Sequence, residues 1–299
     1  MKKIIDLHTH LDSLNSILRL RGRLQNHIMR IDKHIKDDYQ VILSVSLYVN
    51  IYRDYEYLKV LIHKLLKEIK GMGSSVELIK SSSDLNKNYK VGIILHVESA
   101  RVIRRYQDQL PELFDLGIRG IIPVHYKDNH LGTSCDDPFR RLLIRRKDSG
   151  LTDKGVDFVN LCNNLNIWLD LPHTTDKTGY DILSIAKNVM VSHVGIRDLV
   201  PRQRNKDIDF LKAVSDKGGV IGLTPWCHLT GSHTDDFLSQ YDFARGNGLS
   251  NSIALGTDLG APIKTNKKIK SIFDIERLIP DHSFLYQNAF NFFSGALPC

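Results

Sequence analysis

The chain has 299 residues, with 41 Lys+Arg against 34 Asp+Glu and a formal net charge of +7. Hydrophobic residues make up 42% and charged residues 25%, which excludes a collagen, a disordered tail and a coiled coil. No apolar run approaches the roughly 20 residues that span a bilayer, so no membrane partner is expected.

The N-terminus turns polar at Asp6, so it offers no leader-type apolar region. Cys135, Cys162, Cys227 and Cys299 form no CxxC pair. That argues against a disulfide framework and leads us to expect a reducing cytoplasm. Most of the basic excess is dispersed. One local cluster, Arg140, Arg141, Arg145, Arg146 and Lys147, reads as a solvated loop, with anion steering as the alternative.

Eight short apolar runs recur along the chain. They are 3–7 (KIIDL), 41–49 (VILSVSLYV), 91–95 (VGIIL), 120–124 (GIIPV), 167–171 (IWLDL), 188–191 (NVMV), 220–223 (VIGL) and 252–255 (SIAL). Each is nearly continuous and rich in β-branched residues, as strands buried on both faces are. Helical spacing appears at 57–69, 154–165, 180–186, 208–214 and 233–245. Alternating strands and helices predict a parallel sheet. Eight such runs match a (β/α)8 TIM-type barrel, which takes about 250 residues. The expectation is therefore an α/β fold with a single barrel domain over 1–299 and helices outside. A doubly wound open sheet is the alternative. A long loop, 126–150, follows the fourth run and is a candidate lid or a peripheral insertion.

In such a barrel the C-terminal strand ends form one mouth. The residues just past six of the eight runs are His8-Thr9-His10, Glu98, His125, His173, His193 and Asp258. Imidazole and carboxylate together suit zinc and its first-row neighbours. The two rings of an HxH on a strand share a face. Glu98 could instead be a buried acid paired with a barrel cation, and Asp258 could simply cap a helix. His96, two before Glu98, reads as a packed neighbour. Trp226, His228 and His233 read as pocket-lining residues at best.

The order HxH, Glu, His, His, Asp on this pattern resembles the amidohydrolase superfamily. Within it, the chain resembles the renal-type (membrane) dipeptidase family of zinc peptidases. The likeness rests on 149–175 (SGLTDKGVDFVNLCNNLNIWLDLPHTT), on Ser192-His193 followed by Arg204-Asn205, and on Gly256-Thr257-Asp258-Leu259-Gly260. The resemblance implies two divalent metal ions, zinc as in the family. His8, His10, Glu98 and Asp258 would hold the first, and Glu98, His173 and His193 the second. His125 would polarise the substrate, Arg204 would engage its carboxylate, and Asp258 would carry a proton. The implied reaction is hydrolysis of an amide bond in a dipeptide or acylated amino acid by a metal-activated bridging hydroxide.

The chain departs from the family at three points. It has His10 where the family has Asp, Pro172 where it has Ser, and no glycine at 163–166. A TatD-like phosphoesterase on the same barrel is the alternative reading, and nucleic acid is a less favoured partner. A catalytically inactive ligand-binding barrel is the non-enzyme reading. A homodimer and a monomer both stay open.

Overall fold

The computed structural model describes residues 1–10, 35, 38–49, 53–136, 148–261 and 263–299. The basic cluster at Arg140, Arg141, Arg145, Arg146 and Lys147 lies outside the described residues.

Among the described residues there are nine strands. They are β1 (Lys2–Thr9), β2 (Tyr39–Tyr48), β3 (Val76–Leu78), β4 (Val91–Glu98), β5 (Ile118–Ile122), β6 (Trp168–Asp170), β7 (Val189–Val194), β8 (Val220–Leu223) and β9 (Ile253–Leu255). All pairings between them are parallel. β1 pairs with both β2 and β9, and β2 pairs with β4. Eight strands therefore close into a barrel, and each of the eight apolar runs falls on one of them. β3 is the addition. It pairs with Val91–Ile93 of β4, and β5 pairs with the same strand from Leu95 onward.

The helices are α1 (Tyr55–Gly71), α2 (Tyr106–Asp115), α3 (Asp153–Asn164), α4 (Asp176–Ile185), α5 (Ile208–Asp216), α6 (Cys227–Thr230), α7 (Thr234–Gly246), α8 (Ile272–Leu278) and α9 (Asn288–Ala296). The five helical stretches read from spacing are α1, α3, α4, α5 and α7. Helix α2 escapes that reading because Pro111 sits inside it, and proline is a strong helix-breaking signal. Thr152, Thr175 and Asp207 begin α3, α4 and α5, each accepting a hydrogen bond from a first-turn N–H.

Strand alternation sorts the apolar side chains into two cores. In β4, Ile93, Leu95 and Val97 face outward to the helices. Ile94 faces inward, into a cluster with Ile5, Leu7, Ile42, Trp168 and Met190. Phe292, Phe293 and Ala289 of α9 join that inner cluster and close the N-terminal end of the barrel. Trp168 is fully buried there, its ring 5.3 Å from that of Phe293. Among the described residues, no helix is long and apolar enough to cross a membrane.

Candidate metal centre

The inward face of β4 reads Ile94, His96, Glu98 from the closed end toward the mouth. Apolar packing gives way to polar side chains at mid-barrel. Register places β2 beside it, with Ser44 opposite Ile94, Ser46 opposite His96 and Tyr48 opposite Glu98. The small serines leave room for the larger neighbours and bond to them. Ser44 Oγ lies 2.9 Å from His96 Nδ1, and Ser46 Oγ donates to Glu98 Oε2 at 3.1 Å.

His8 and His10 arrive from the end of β1, where the pairing with β2 shifts register between Asp6 and Thr9. Their Nε2 atoms are 3.2 Å apart. His193 enters through a second irregularity, between Val191 and Val194 of β7. A bulge of this kind turns a side chain to a new direction. It places Ser192 Oγ 3.2 Å from His8 Nδ1 and 2.8 Å from His193 Nδ1. No side chain could occupy the facing positions. A Cβ on Gly222 or Gly256 would stand 1.8 or 1.7 Å from the Ser192 carbonyl oxygen.

All the strand-end residues converge. Glu98 Oε2 is 3.4 Å from His10 Nε2, while Oε1 is 3.2 Å from His125 Nε2, 3.8 Å from His173 Nε2 and 3.9 Å from His8 Nε2. Asp258 Oδ1 lies 3.2 Å from His10 Nε2 and 3.7 Å from His8 Nε2. His173 and His193 approach at 3.3 Å, Nε2 to Nε2. Ligand atoms about 2.1 Å from one tetrahedral cation lie about 3.4 Å apart, so the separations fit shared coordination. Among the described residues, metal-competent groups are His8–His10–Glu98, His8–His193–Asp258, His8–His96–Asp170 and Glu98–His125–His173. His125, read from the sequence as a substrate contact, thus stands as close to Glu98 as any ligand candidate does.

The protonation pattern suits metal binding. Burial holds the imidazoles of His8 and His193 well below their ordinary range. Burial and then the Arg204 guanidinium bring His173 down to about 3. Neutral imidazole is the form that ligates. Burial also pushes His10 down, but Glu98 and Asp258 outweigh it and raise that ring to about 9. Glu98 is pushed up by burial, yet the surrounding rings, His10 foremost, hold it well below the carboxylate range. A dication would answer the same negative charge that a proton on His10 answers. Burial raises Asp258, with His10 pulling the other way.

Several supporting residues carry no motif of their own. Asp136 Oδ2 lies 2.5 Å from His173 Nδ1, which leaves Nε2 facing Glu98. Orientation of a ligand ring by a carboxylate on its other nitrogen is a general device of metal sites. Asp6, fully enclosed, accepts from the N–H groups of His8 and Thr257 at 3.2 and 2.9 Å and so ties β1 to the Asp258 turn. Asp170 accepts from Ser192 N at 2.8 Å, and its Oδ2 is buried without a partner. Burial raises both Asp6 and Asp170 to about 7. Three residues at the mouth, Ser99, Tyr126 and Asp258, hold positive φ angles of 104°, 60° and 57°. Non-glycine residues pay conformational strain there, and such strain gathers at functional sites.

Of the cluster, His173 shares with Arg204 a cavity of about 630 Å3 that Asp136, Trp226 and His228 also line. Arg204 Nη1 donates to the Pro172 carbonyl, and Nη2 to the His193 carbonyl at 3.3 Å. Its Nε is buried with no hydrogen-bond partner. His233 stands apart, preceding α7 in a capping box with Asp236. His96 lies beneath the cluster, its Nε2 3.1 Å from His8 Nδ1.

The sequence profile of the membrane dipeptidase family, peptidase family M19, matches residues 45–282. The dipeptidase VerJ of Clonostachys rogersoniana is 25% identical over 228 residues, 73% of this chain and 54% of its own. The chain spans about half the length of the curated relatives it matches, with shares of 46%, 32%, 55% and 54%. A solved metallopeptidase from Rhodobacter sphaeroides, liganded with a phosphinate mimic of the dipeptide L-Ala-D-Ala, superposes with a TM-score of 0.79 at 18% identity, covering 98% of both chains. A solved M19 dipeptidase, dipeptidase AC, gives 0.80 at 18% identity over 100% of this chain and 99% of its own. At these identities the two structures establish the (β/α)8 fold. The comparisons do not favour the deoxyribonuclease-type alternative. With the profile matching most of its length, the chain belongs to the membrane dipeptidase family, peptidase family M19, a family of metallopeptidases.

Proposed function

We propose that the protein is a metal-dependent dipeptidase that hydrolyses the amide bond of a small substrate bearing a free carboxylate. The observation that carries this reading is Glu98, which turns one carboxylate oxygen toward His10 and the other toward His125 and His173. A carboxylate so placed can serve two cations at once. His8, His10 and Asp258 would hold one ion with it, and His173 and His193 the other. Zinc suits this donor set of imidazoles and carboxylates. When bound, such ions supply Lewis acidity and bring the pKa of a bound water from 15.7 toward about 7.

The chain's own groups account for the rest. Water adds its oxygen to the carbonyl carbon, and the C–N bond then breaks. Asp258 takes the proton released by the water and returns it to the departing amine. A carboxylate raised by burial is suited to both halves of that transfer. His125 Nε2 donates to the oxyanion that develops on the carbonyl oxygen, a contribution of about 3–4 kcal/mol for a well-placed donor. Arg204, which lines the cavity beside His173, meets the substrate carboxylate.

The test is metal analysis of the purified protein, then assays on a dipeptide panel with D- and L-residues at the C-terminal position. Exhaustive chelation should abolish turnover and zinc should restore it. Asp258→Asn should lower kcat by about 10²–10⁴-fold. Full activity after chelation, or near-normal kcat in Asp258→Asn, would reject the mechanism.

A further inference from the structure

The cavity beside the cluster carries positive charge that the proposed reaction leaves unused. Besides Asp136, His173 and Arg204, it is lined by Trp226, Arg202 and Lys264. Arg202 comes from the loop between β7 and α5, and Lys264 from the loop between β9 and α8. Two separate chain segments therefore bring exposed cations to one space. The acidic side chain in this wall, Asp136, is already engaged. Its Oδ2 stands 2.5 Å from His173 Nδ1 and 3.6 Å from Arg204 Nε. It answers the charge of Arg204, not that of Arg202 or Lys264. The half-buried ring of Trp226 supplies an apolar part of the wall of the same cavity.

We infer that this cavity selects dipeptides with a second carboxylate, an acidic side chain on the C-terminal residue. The inference rests on the dipeptidase reading above. Arg204 takes the α-carboxylate beside His173. The side-chain methylenes lie along Trp226, and the second carboxylate reaches Arg202 and Lys264. Both of these cations have long flexible stems, so one glutamate side chain can be met from two loops at once.

The experiment compares kcat/KM for Ala-Glu and Ala-Gln on the zinc-loaded protein, with L- and D-forms of the second residue. The two side chains have nearly the same shape and differ in charge. Ala-Glu should be preferred about tenfold, the scale of two partly solvated ion pairs. The preference should shrink as NaCl rises, because exposed charges are screened over about 8 Å at 0.15 M salt. In Arg202→Ala/Lys264→Ala the ratio should fall to about one, and in Arg202→Glu/Lys264→Glu Ala-Lys should overtake Ala-Glu. Equal use of Ala-Glu and Ala-Gln by the unmodified protein overturns the inference. So does a preference that survives the double substitution. Turnover of neutral dipeptides without acidic preference defeats this inference alone. Absence of any dipeptide turnover on the metal-loaded protein defeats the dipeptidase reading itself.

Discussion

Asp136 shows how the proposed metal centre can depend on a residue outside its ligand set. It comes from the loop after β5, beside the segment outside the described residues, and its carboxylate fixes the tautomer of His173. Burial pushes that carboxyl up, but His173 and Arg204 outweigh it and hold it below the ordinary range. Asp136→Ala should weaken metal affinity about 10–100-fold. Competition with a chromophoric chelator measures this, and unchanged far-UV circular dichroism would show that the barrel is intact. Unchanged affinity would mean that His173 is oriented without Asp136. The strand-end histidines could be read from the sequence because HxH and the strand ends announce them. Asp136, Ser44, Ser46 and Ser192 could not, since a serine or aspartate beside an imidazole leaves no spacing of its own. The one available trace was the Ser44/Ser46 alternation in β2, which is polar where a barrel interior would otherwise be apolar.

At the scale of elements, local chemistry makes two separable predictions. Asp84 lies in the short turn Ser82–Asn86 between β3 and β4, where it accepts from the N–H groups of Lys80 and Ser81 and pairs with Lys87 at 2.7 Å. Burial pushes this carboxyl up, but Lys87 and the two N–H groups outweigh it and bring it from 3.8 to about 2. A carboxylate lowered on folding stabilises the folded chain above its unfolded pKa, and the benefit disappears as pH falls through the folded value. Asp84→Asn should therefore lose about 1–2 kcal/mol at neutral pH, with the deficit closing between about pH 4 and pH 2. Urea unfolding across that range decides it, and a deficit independent of pH would remove the electrostatic explanation. The bulge in β7 makes the second prediction. Ser192 and His193 turn into the barrel because Gly222 and Gly256 leave their space empty. Gly256→Ala would drive a methyl group into the Ser192 carbonyl. It should destabilise the protein by about 1–3 kcal/mol, and metal content should fall with it. Normal metal content at full stability would show that the bulge can move aside freely.

The whole molecule is organised by a gradient along the barrel axis. Apolar residues and α9 fill the N-terminal end, and titratable residues fill the mouth. Gly120 and Trp168 illustrate the packing below. A Cβ on Gly120 would stand 2.0 Å from the Trp168 indole nitrogen, so the absent side chain of one makes room for the other. Trp168→Ala should cost about 3–5 kcal/mol, read by urea unfolding. The rings of Phe292 and Phe293 would lose their partner, so α9 should show faster amide hydrogen exchange. A loss below 1 kcal/mol would mean that α9 closes the barrel without this contact. The two cores also explain why the strands read as continuous apolar runs. One face meets helices, the other meets the barrel interior, and neither meets water.

The amino-acid order by itself determined the barrel. Eight doubly buried strands leave a hydrophobic signature that survives without knowledge of neighbours, and a strand end is by construction where a side chain reaches the mouth. It also determined which imidazoles and carboxylates gather there. What only the tertiary structure decided is how they are held. The pairing of β2 with β4 that seats Ser46 on Glu98, the bulge that admits His193, the Asp136 contact and the cations at the cavity edge all join residues distant in the chain. Those relations depend on register, twist and the volumes of facing side chains, and none of these quantities is a property of a local stretch of sequence.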